Sequence, residues 1–346
     1  MRTARAHGLR ARGAAGRETI QVMSDASAHD APDPAPTSPG GGAARPGRLG
    51  VGIISAGRVG AVLGSALRAV EHQIIGVHAV SQASRERAEM LLPGVPVLEV
   101  EQIVERAELV LLAVPDDALG PLVQGLADLR RWQSGQLVVH TSGTHGIAIL
   151  EPARLCGAIP LAIHPAMTFG GWSTDVARLT GCPMAVTAPA AVLPIAQALA
   201  VELGGEPFVL EEAARPAYHA ALAHGANHLV TLVAQSMRVL EALGVEAPGA
   251  YLAPLLQAAL DGTLGSGESA LTGPVARGDV GTVREHLASL DALAATGDFA
   301  DIPPAYRALA RATAARVAAR SLRESPAIDG LLAELDGGAS GSAASD

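Results

Sequence analysis

Residues Leu49–Leu67, LGVGIISAGRVGAVLGSAL, open on a short β-branched apolar run (Val51, Ile53, Ile54) and pass through Ser55-Ala56-Gly57-Arg58-Val59-Gly60. Val59, Val62, Leu63, Ala66 and Leu67 then follow at helical spacing. Strand, glycine turn and helix in that order make the setting in which such a turn binds a dinucleotide. Gly57 lets the backbone approach a pyrophosphate, and Gly60 lets the helix pack close to the strand. The free N–H groups and the positive dipole end of the helix then hold the phosphates. On this reading Ser55, Gly57, Arg58, Val59 and Gly60 form the pyrophosphate site. One position departs from the pattern: the first glycine, which makes the tight turn, is Ser55.

Further along, Gln73–Val80 reads as a second strand. An NAD site would place Asp or Glu at its end for the ribose hydroxyls, but the chain has Val80-Ser81-Gln82-Ala83-Ser84-Arg85. Hydroxyls and a cation suit a 2′-phosphate, so Ser81, Ser84 and Arg85 favour NADP over NAD. Ser84 would equally serve as the N-cap of the next helix, and both readings can hold.

Val97-Leu98, Glu108–Val114, Gln136–His140, Pro160–His164, Pro183–Thr187 and Pro207–Leu210 read as strands. Helices Val100–Ala107, Ala118–Leu129 and Leu193–Leu203 alternate with them. Such alternation predicts an α/β fold, a Rossmann-type doubly wound parallel sheet with ligands beyond the strand carboxyl ends. Polar residues gather at those ends: Ser55, Ser81, Asp116, His140, Ser142, His164 and Thr168. Val114, Pro115 and Asp116 fall where a nicotinamide ribose would lie. From about Glu211 the alternation stops, and Ala213–Leu243, Pro248–Asp261, Val280–Leu290 and Pro303–Ala319 read as helices. The expected organisation is a sheet domain over 48–211 and an all-helical domain over 212–336. Arg-rich, then Pro/Gly-rich residues 1–47 read as a disordered extension or a transit peptide, and 337–346 as a flexible tail.

Composition bounds the chemistry. The 346 residues are 49% hydrophobic but only 2% aromatic, as suits strands buried on both faces by Ala, Val, Leu and Ile. A net charge of −9 argues against a nucleic-acid partner. Lacking an apolar run of membrane-spanning length, and with only Cys156 and Cys182 as cysteines, the chain reads as a cytoplasmic protein without disulfides.

Histidines are the main chemical resource: His140, His145, His164, His219, His224 and His228. His164, at a strand end, could exchange a proton with a carbonyl substrate or serve as a structural hydrogen-bonder. Along YHAALAHGANH, His224, Asn227 and His228 share a helix face. Two His at i, i+4 can bind zinc, but neither an HExxH arrangement nor a third ligand accompanies them, so no metal is expected. Within Leu271–Asp279 (LTGPVARGD), Thr272 and Arg277 could present a hydroxyl and a cation to substrate; Asp279 could simply cap the next helix.

The ordered segments GIISAGRVG, AVSQASRERA, LLAVPDDAL, VVHTSGTHG, LAIHPAMTF, YHAALAHGANHLVTL and ALTGPVARGD resemble one bacterial family across Leu49–Leu335. Its members join a Rossmann-like N-terminal domain to a C-terminal domain of unknown function, within the 6-phosphogluconate/β-hydroxyacid dehydrogenase superfamily. The resemblance implies an NADP-binding fold, a small-molecule substrate and a helical domain that forms a homodimer. His164-Pro165-Ala166-Met167 resembles a stretch of prephenate dehydrogenases, and ketopantoate reductases are a more distant likeness. Asn227 resembles the Asn of β-hydroxyacid dehydrogenases, but the lysine those enzymes carry one turn earlier is Ala223 here. The implied site therefore comprises Ser142, His164, His224 and Asn227 around the reaction, with Thr168, Thr272 and Arg277 toward substrate. An NADP-dependent oxidoreductase acting on a carboxylate-bearing carbonyl or imine is the expectation. A non-catalytic NADP-binding sensor is the alternative, and a metal-dependent hydrolase a third.

Overall fold

A computed structural model describes residues 48–320 and 325–337; the expected N-terminal extension and nearly all of the expected tail lie outside them. Over the first part run β1 (Gly50–Ile54), α1 (Arg58–Ala69), β2 (Gln73–His78), α2 (Gln82–Leu91), α3 (Val100–Arg106), β3 (Leu109–Leu112) and α4 (Asp116–Asp128). There follow β4 (Leu137–His140), α5 (Glu151–Leu155), β5 (Ile159–Pro165), α6 (Ser173–Arg178), β6 (Pro183–Thr187), α7 (Leu193–Glu202) and β7 (Glu206–Val209). The strands form one sheet in the order β2-β1-β3-β4-β5-β6-β7.

Side chains of alternate β1 residues enter opposite layers, as the pleat requires. Val51 and Ile53 join Val62, Leu63 and Leu199 on the face covered by α1 and α7, while Ile54 packs with Ile103, Val110 and Leu119 beneath α3 and α4. Burial on both faces explains why GVGII and LVLL are continuous apolar runs rather than alternating ones. The β1 strand lies between β2 and β3, both parallel to it. That places the topological switch point, where ligands bind in doubly wound sheets, directly above the Ser55–Gly60 turn.

The sheet is not parallel throughout, as the strand–helix alternation predicts, because β6 runs antiparallel to β5. The connection 166–182 does not cross the sheet: the Ala166 N–H donates to the Pro183 carbonyl at 2.9 Å. Its short α6 stays at the carboxyl end, so β6 must run back. Val97-Leu98 is not a full strand either; it makes a single bridge, Val97 to Val77.

The expected helix Ala213–Leu243 is a composite. A 3-10 turn (Glu212–Ala214) leads into α8 (Arg215–Leu222), a π-helical turn (Ala223–Asn227) and α9 (His228–Ala242). Beyond it lie α10 (Pro248–Ser266), α11 (Gly273–Arg277), α12 (Val280–Ala294), α13 (Ile302–Arg320) and α14 (Pro326–Gly337). Val283, Leu287, Ala314, Ile328 and Leu331 form the core of this part. By contrast, α9 buries only Gln235 and α10 only Leu252. Tyr251, Leu255 and Leu264 of α10 face outward, and an apolar groove of about 1060 Å³ runs between Leu240, Leu252, Val275, Leu290 and Tyr306. No helix among the described residues is long and apolar enough to cross a membrane.

Candidate functional site

The turn after β1 keeps the backbone of the glycine it lacks. Ser55 has φ +78°, in the left-handed region that costs an L-residue roughly 1–2 kcal/mol. The Ala56 N–H donates to the His78 carbonyl at 2.8 Å, holding the turn to β2. The two glycines differ in what confines them. A Cβ on Gly60 would stand 2.1 Å from the Ser55 carbonyl oxygen and 3.2 Å from Ile53 Cγ2, whereas one on Gly57 would meet only Ser55 Oγ, at 3.4 Å. Gly60 is therefore required by the fold. Gly57 borders open space at the N-terminus of α1, where the first-turn N–H groups have no helical partner. A diphosphate fits that cradle, and a side chain on Gly57 would fill it.

At the end of β2 the structure moves the helix cap. Ser81, not Ser84, is the N-cap of α2: its hydroxyl accepts from the Ser84 N–H, and the Ser84 hydroxyl donates back to the Ser81 carbonyl at 2.7 Å. Arg85 leans on the Ala79 carbonyl over a long 3.4 Å contact. After β3, Val114 is half-buried and Pro115 and Asp116 are exposed; α4 starts at Asp116, two residues earlier than expected.

Beyond β4 and β5 the polar residues converge. The Tyr218 hydroxyl lies 2.9 Å from His164 Nδ1, and the His219 ring meets His164 edge-on with centroids 5.9 Å apart. Thr144 Oγ1 lies 2.5 Å from His219 Nδ1. Gly143 permits the approach, since a Cβ there would sit 2.6 Å from His219 Cδ2 and 3.0 Å from His164 Nε2. Burial, together with the charges of His219 and Arg215, pushes the His164 pKa down to about 4; burial pushes the Tyr218 hydroxyl up. At neutral pH the pair is thus an uncharged imidazole beside a protonated phenol.

Beneath this cluster lies Arg215, with 0% of its surface exposed. Its guanidinium donates to Thr187 Oγ1 at 2.8 Å and to the carbonyls of Ser142, Ala162 and Ala185 at 2.9, 3.0 and 3.2 Å. It ties α8 to β5, β6 and the loop after β4, and so fixes Tyr218 and His219, one turn later, against His164. His140 is equally buried: its Nδ1 accepts from the Ser142 N–H and its Nε2 donates to the Gly146 carbonyl. Burial holds its pKa down near 4. Ser142 is buried as well, with its hydroxyl accepting from the His145 N–H at 3.1 Å, so it organises the loop.

Other expected residues lie elsewhere. His224 bonds His228, Nδ1 to Nδ1 at 2.9 Å, and both are exposed, as is Asn227; the α8 side chains that meet His164 are Tyr218 and His219. Thr168 is exposed. Thr272 lines the apolar groove of the helical part, and Arg277 ends α11 in the open. Asp279 caps α12, accepting from the Thr282 N–H at 3.2 Å. Among the described residues no three His, Cys, Asp or Glu side chains are placed to share a metal ion. Sequence reading passed over Tyr218 and Arg215. The signal available was their i, i+3 spacing on one helix that starts where the sheet ends.

Sheet order, switch point and glycine turn together define a Rossmann-like protein. A family model for the Rossmann-like domain matches residues 33–165, and one for a domain of unknown function, DUF2520, matches residues 182–313, so the chain carries the two in tandem. Among solved structures it is similar to a Bacteroides fragilis protein named as an NADP oxidoreductase. That likeness has a TM-score of 0.65 at 20% identity, over 77% of this chain and 98% of the other. A Thermotoga maritima protein gives 0.55 at 22%, over 79% and 100%. A Myxococcus stipitatus imine reductase in complex with NADP+ gives 0.53 at 19%, over 81% and 98%. At these identities the likeness is one of fold. No curated protein sequence matches the chain.

Proposed function

We propose that this protein is an NADP-dependent oxidoreductase that passes a hydride to or from a carbonyl or imine carbon of a small, carboxylate-bearing molecule. The observation that carries the reading is the pair of glycines at the switch point, Gly60 demanded by packing and Gly57 free of it. The names of the similar structures, an NADP oxidoreductase and an imine reductase with NADP+, support the same reading.

On this account Ser55, Gly57, Arg58, Val59 and Gly60 hold the pyrophosphate through backbone N–H groups and the α1 dipole. Ser81, Ser84 and Arg85 border the adenosine ribose, and Val114, Pro115 and Asp116 border the nicotinamide ribose. NADP, when bound, supplies or accepts the hydride. The chain's own part is the proton. Tyr218 stays protonated and lies in hydrogen-bond reach of neutral His164, with His219 and Thr144 next in line. A proton given to the substrate oxygen or nitrogen by the Tyr218 hydroxyl can be replaced from His164, its hydrogen-bond partner, while the His219–Thr144 pair meets His164 through ring contact alone. Thr168 is the nearer candidate for orienting substrate. The exposed faces of α9 and α10 suit a homodimer, which is the arrangement that could bring Asn227, His224, Thr272 or Arg277 to a reaction site. The compartment consistent with this chemistry is the cytoplasm.

Incubation of the pure protein with NADPH and a panel of 2-oxo acids and cyclic imines tests the proposal by loss of the nicotinamide absorbance at 340 nm. Oxidation with at least one compound is expected. Tight NADPH binding without oxidation of any would instead favour a sensor, the reading to which Ala223 in the place of a lysine points.

A further inference from the structure

We infer that the adenosine 2′-phosphate is gripped by Arg58 and Arg87 together, against the Gly170–Trp172 loop, and that Arg87 rather than Arg85 sets the preference for NADP over NAD. The inference rests on the dinucleotide reading above and adds a ligand that the end of β2 does not supply. The two serines at that end are already engaged. Ser81 and Ser84 close on each other's polar groups, and the Arg85 Nε–H points back to the Ala79 carbonyl.

Arg87 lies differently. It sits one and a half turns into α2, is half-buried, and its stem runs toward the loop that follows β5. Gly171 of that loop has φ +86°, and a Cβ placed on it would be 2.5 Å from Arg87 Nε, 3.0 Å from Arg87 Cδ and 3.2 Å from Arg58 Cγ. Two arginine stems from two helices therefore converge on one point of backbone, beside the first turn of α1. The loop is held there by Asp175, which is buried and accepts from the Gly171 N–H at 2.7 Å and the Trp172 N–H at 3.3 Å. Neither Arg58 nor Arg87 pairs with a carboxylate among the described residues, whereas Arg154, Arg178, Arg284, Arg307 and Arg316 all do. Two cationic side chains whose stems meet without a counter-charge can close on an anion between them. Planar guanidinium forks match the oxygens of a phosphate monoester. The Gly170–Trp172 loop thereby gains a purpose: it separates the two stems.

The test is fluorescence titration of the full chain with NADPH and with NADH, for wild type, R87A, R87K and R85A. Wild type is expected to bind NADPH about tenfold or more tighter than NADH, the worth of a charge-assisted phosphate contact. R87A should lose about tenfold in NADPH affinity and keep NADH affinity within about twofold, and R85A, whose residue borders the ribose, should cost NADPH affinity clearly less than R87A does. R87K, which keeps the charge but not the fork, should fall between wild type and R87A, and it carries the test should R87A not fold. Loss of NADPH affinity in R85A but not in R87A or R87K overturns the inference, as does equal weakening of both nucleotides by R87A, or a wild type with no preference. A wild type that binds neither nucleotide removes the dinucleotide reading itself, and this inference with it.

Discussion

Ser55 shows what one position can and cannot declare. In sequence it is a missing glycine in a nucleotide-binding turn; in the structure it adopts glycine's left-handed φ. The turn is thus retained at a conformational cost of roughly 1 kcal/mol. Replacement by glycine should therefore raise the melting temperature by about 2 °C, measured by calorimetry; a fall would mean that the hydroxyl contributes more than the strain costs. Gly57 and Gly60 look alike as letters, and only the surroundings distinguish them: one abuts a carbonyl oxygen, the other open space. His164 was legible, because a polar residue ending a buried strand of a parallel sheet lies at the ligand edge. His219 stood out as a histidine, but its pairing with His164 and the whole role of Tyr218 were not legible, since they depend on how α8 is docked.

The docking of α8 is an element-scale property. Arg215, in AARPAYH, reads as an ordinary polar residue opening a helix. It becomes fully buried only because β6 turns back antiparallel and offers the Ala185 carbonyl and Thr187 hydroxyl beside those of Ala162 and Ser142. That reversal was hidden because α6, which decides it, is barely more than one turn and has no periodic pattern to read. The helical elements were legible as helices, yet their surroundings were not. α10 is apolar nearly all round but buries only Leu252, a pattern that suits a helix covered from outside its own chain. With Leu255 67% exposed on that helix, Leu255→Glu is expected to convert a dimer of the wild type to a monomer, read by light scattering on a sizing column. A wild type that runs as a monomer, or a variant that stays dimeric, would exclude α10 from the interface.

At the scale of the whole molecule, buried neutral imidazoles make stability depend on pH. His140 is held near pKa 4 in the folded chain, chiefly by burial, against about 6.5 unfolded. Below pH 6.5 the unfolded chain binds a proton that the folded chain does not, so stability falls as the pH drops from about 6.5 toward 4. For His140 the loss is about 2 kcal/mol by pH 5, and His164, less buried, adds to it in the same direction. Melting temperatures recorded across pH 7.5–4.5 should decline in that window, and a flat profile would mean that these imidazoles take up protons without unfolding. The two-part architecture, a sheet followed by helices, was readable from periodicity alone, and the site's broad position followed from sheet topology. Its inner arrangement depends on long-range packing that no local pattern records.

The central claim is that the turn after β1 holds a dinucleotide, and Gly57→Val tests it most directly. The backbone there has φ −69° and a Cβ meets only Ser55 Oγ, so the variant should fold, melting a few degrees lower because Val is a poorer N-cap than Gly, while its side chain occupies the phosphate cradle. Fluorescence titration with NADPH at a temperature where both proteins are folded should show affinity reduced about tenfold or more. Undiminished NADPH affinity in a folded Gly57→Val protein would contradict the account.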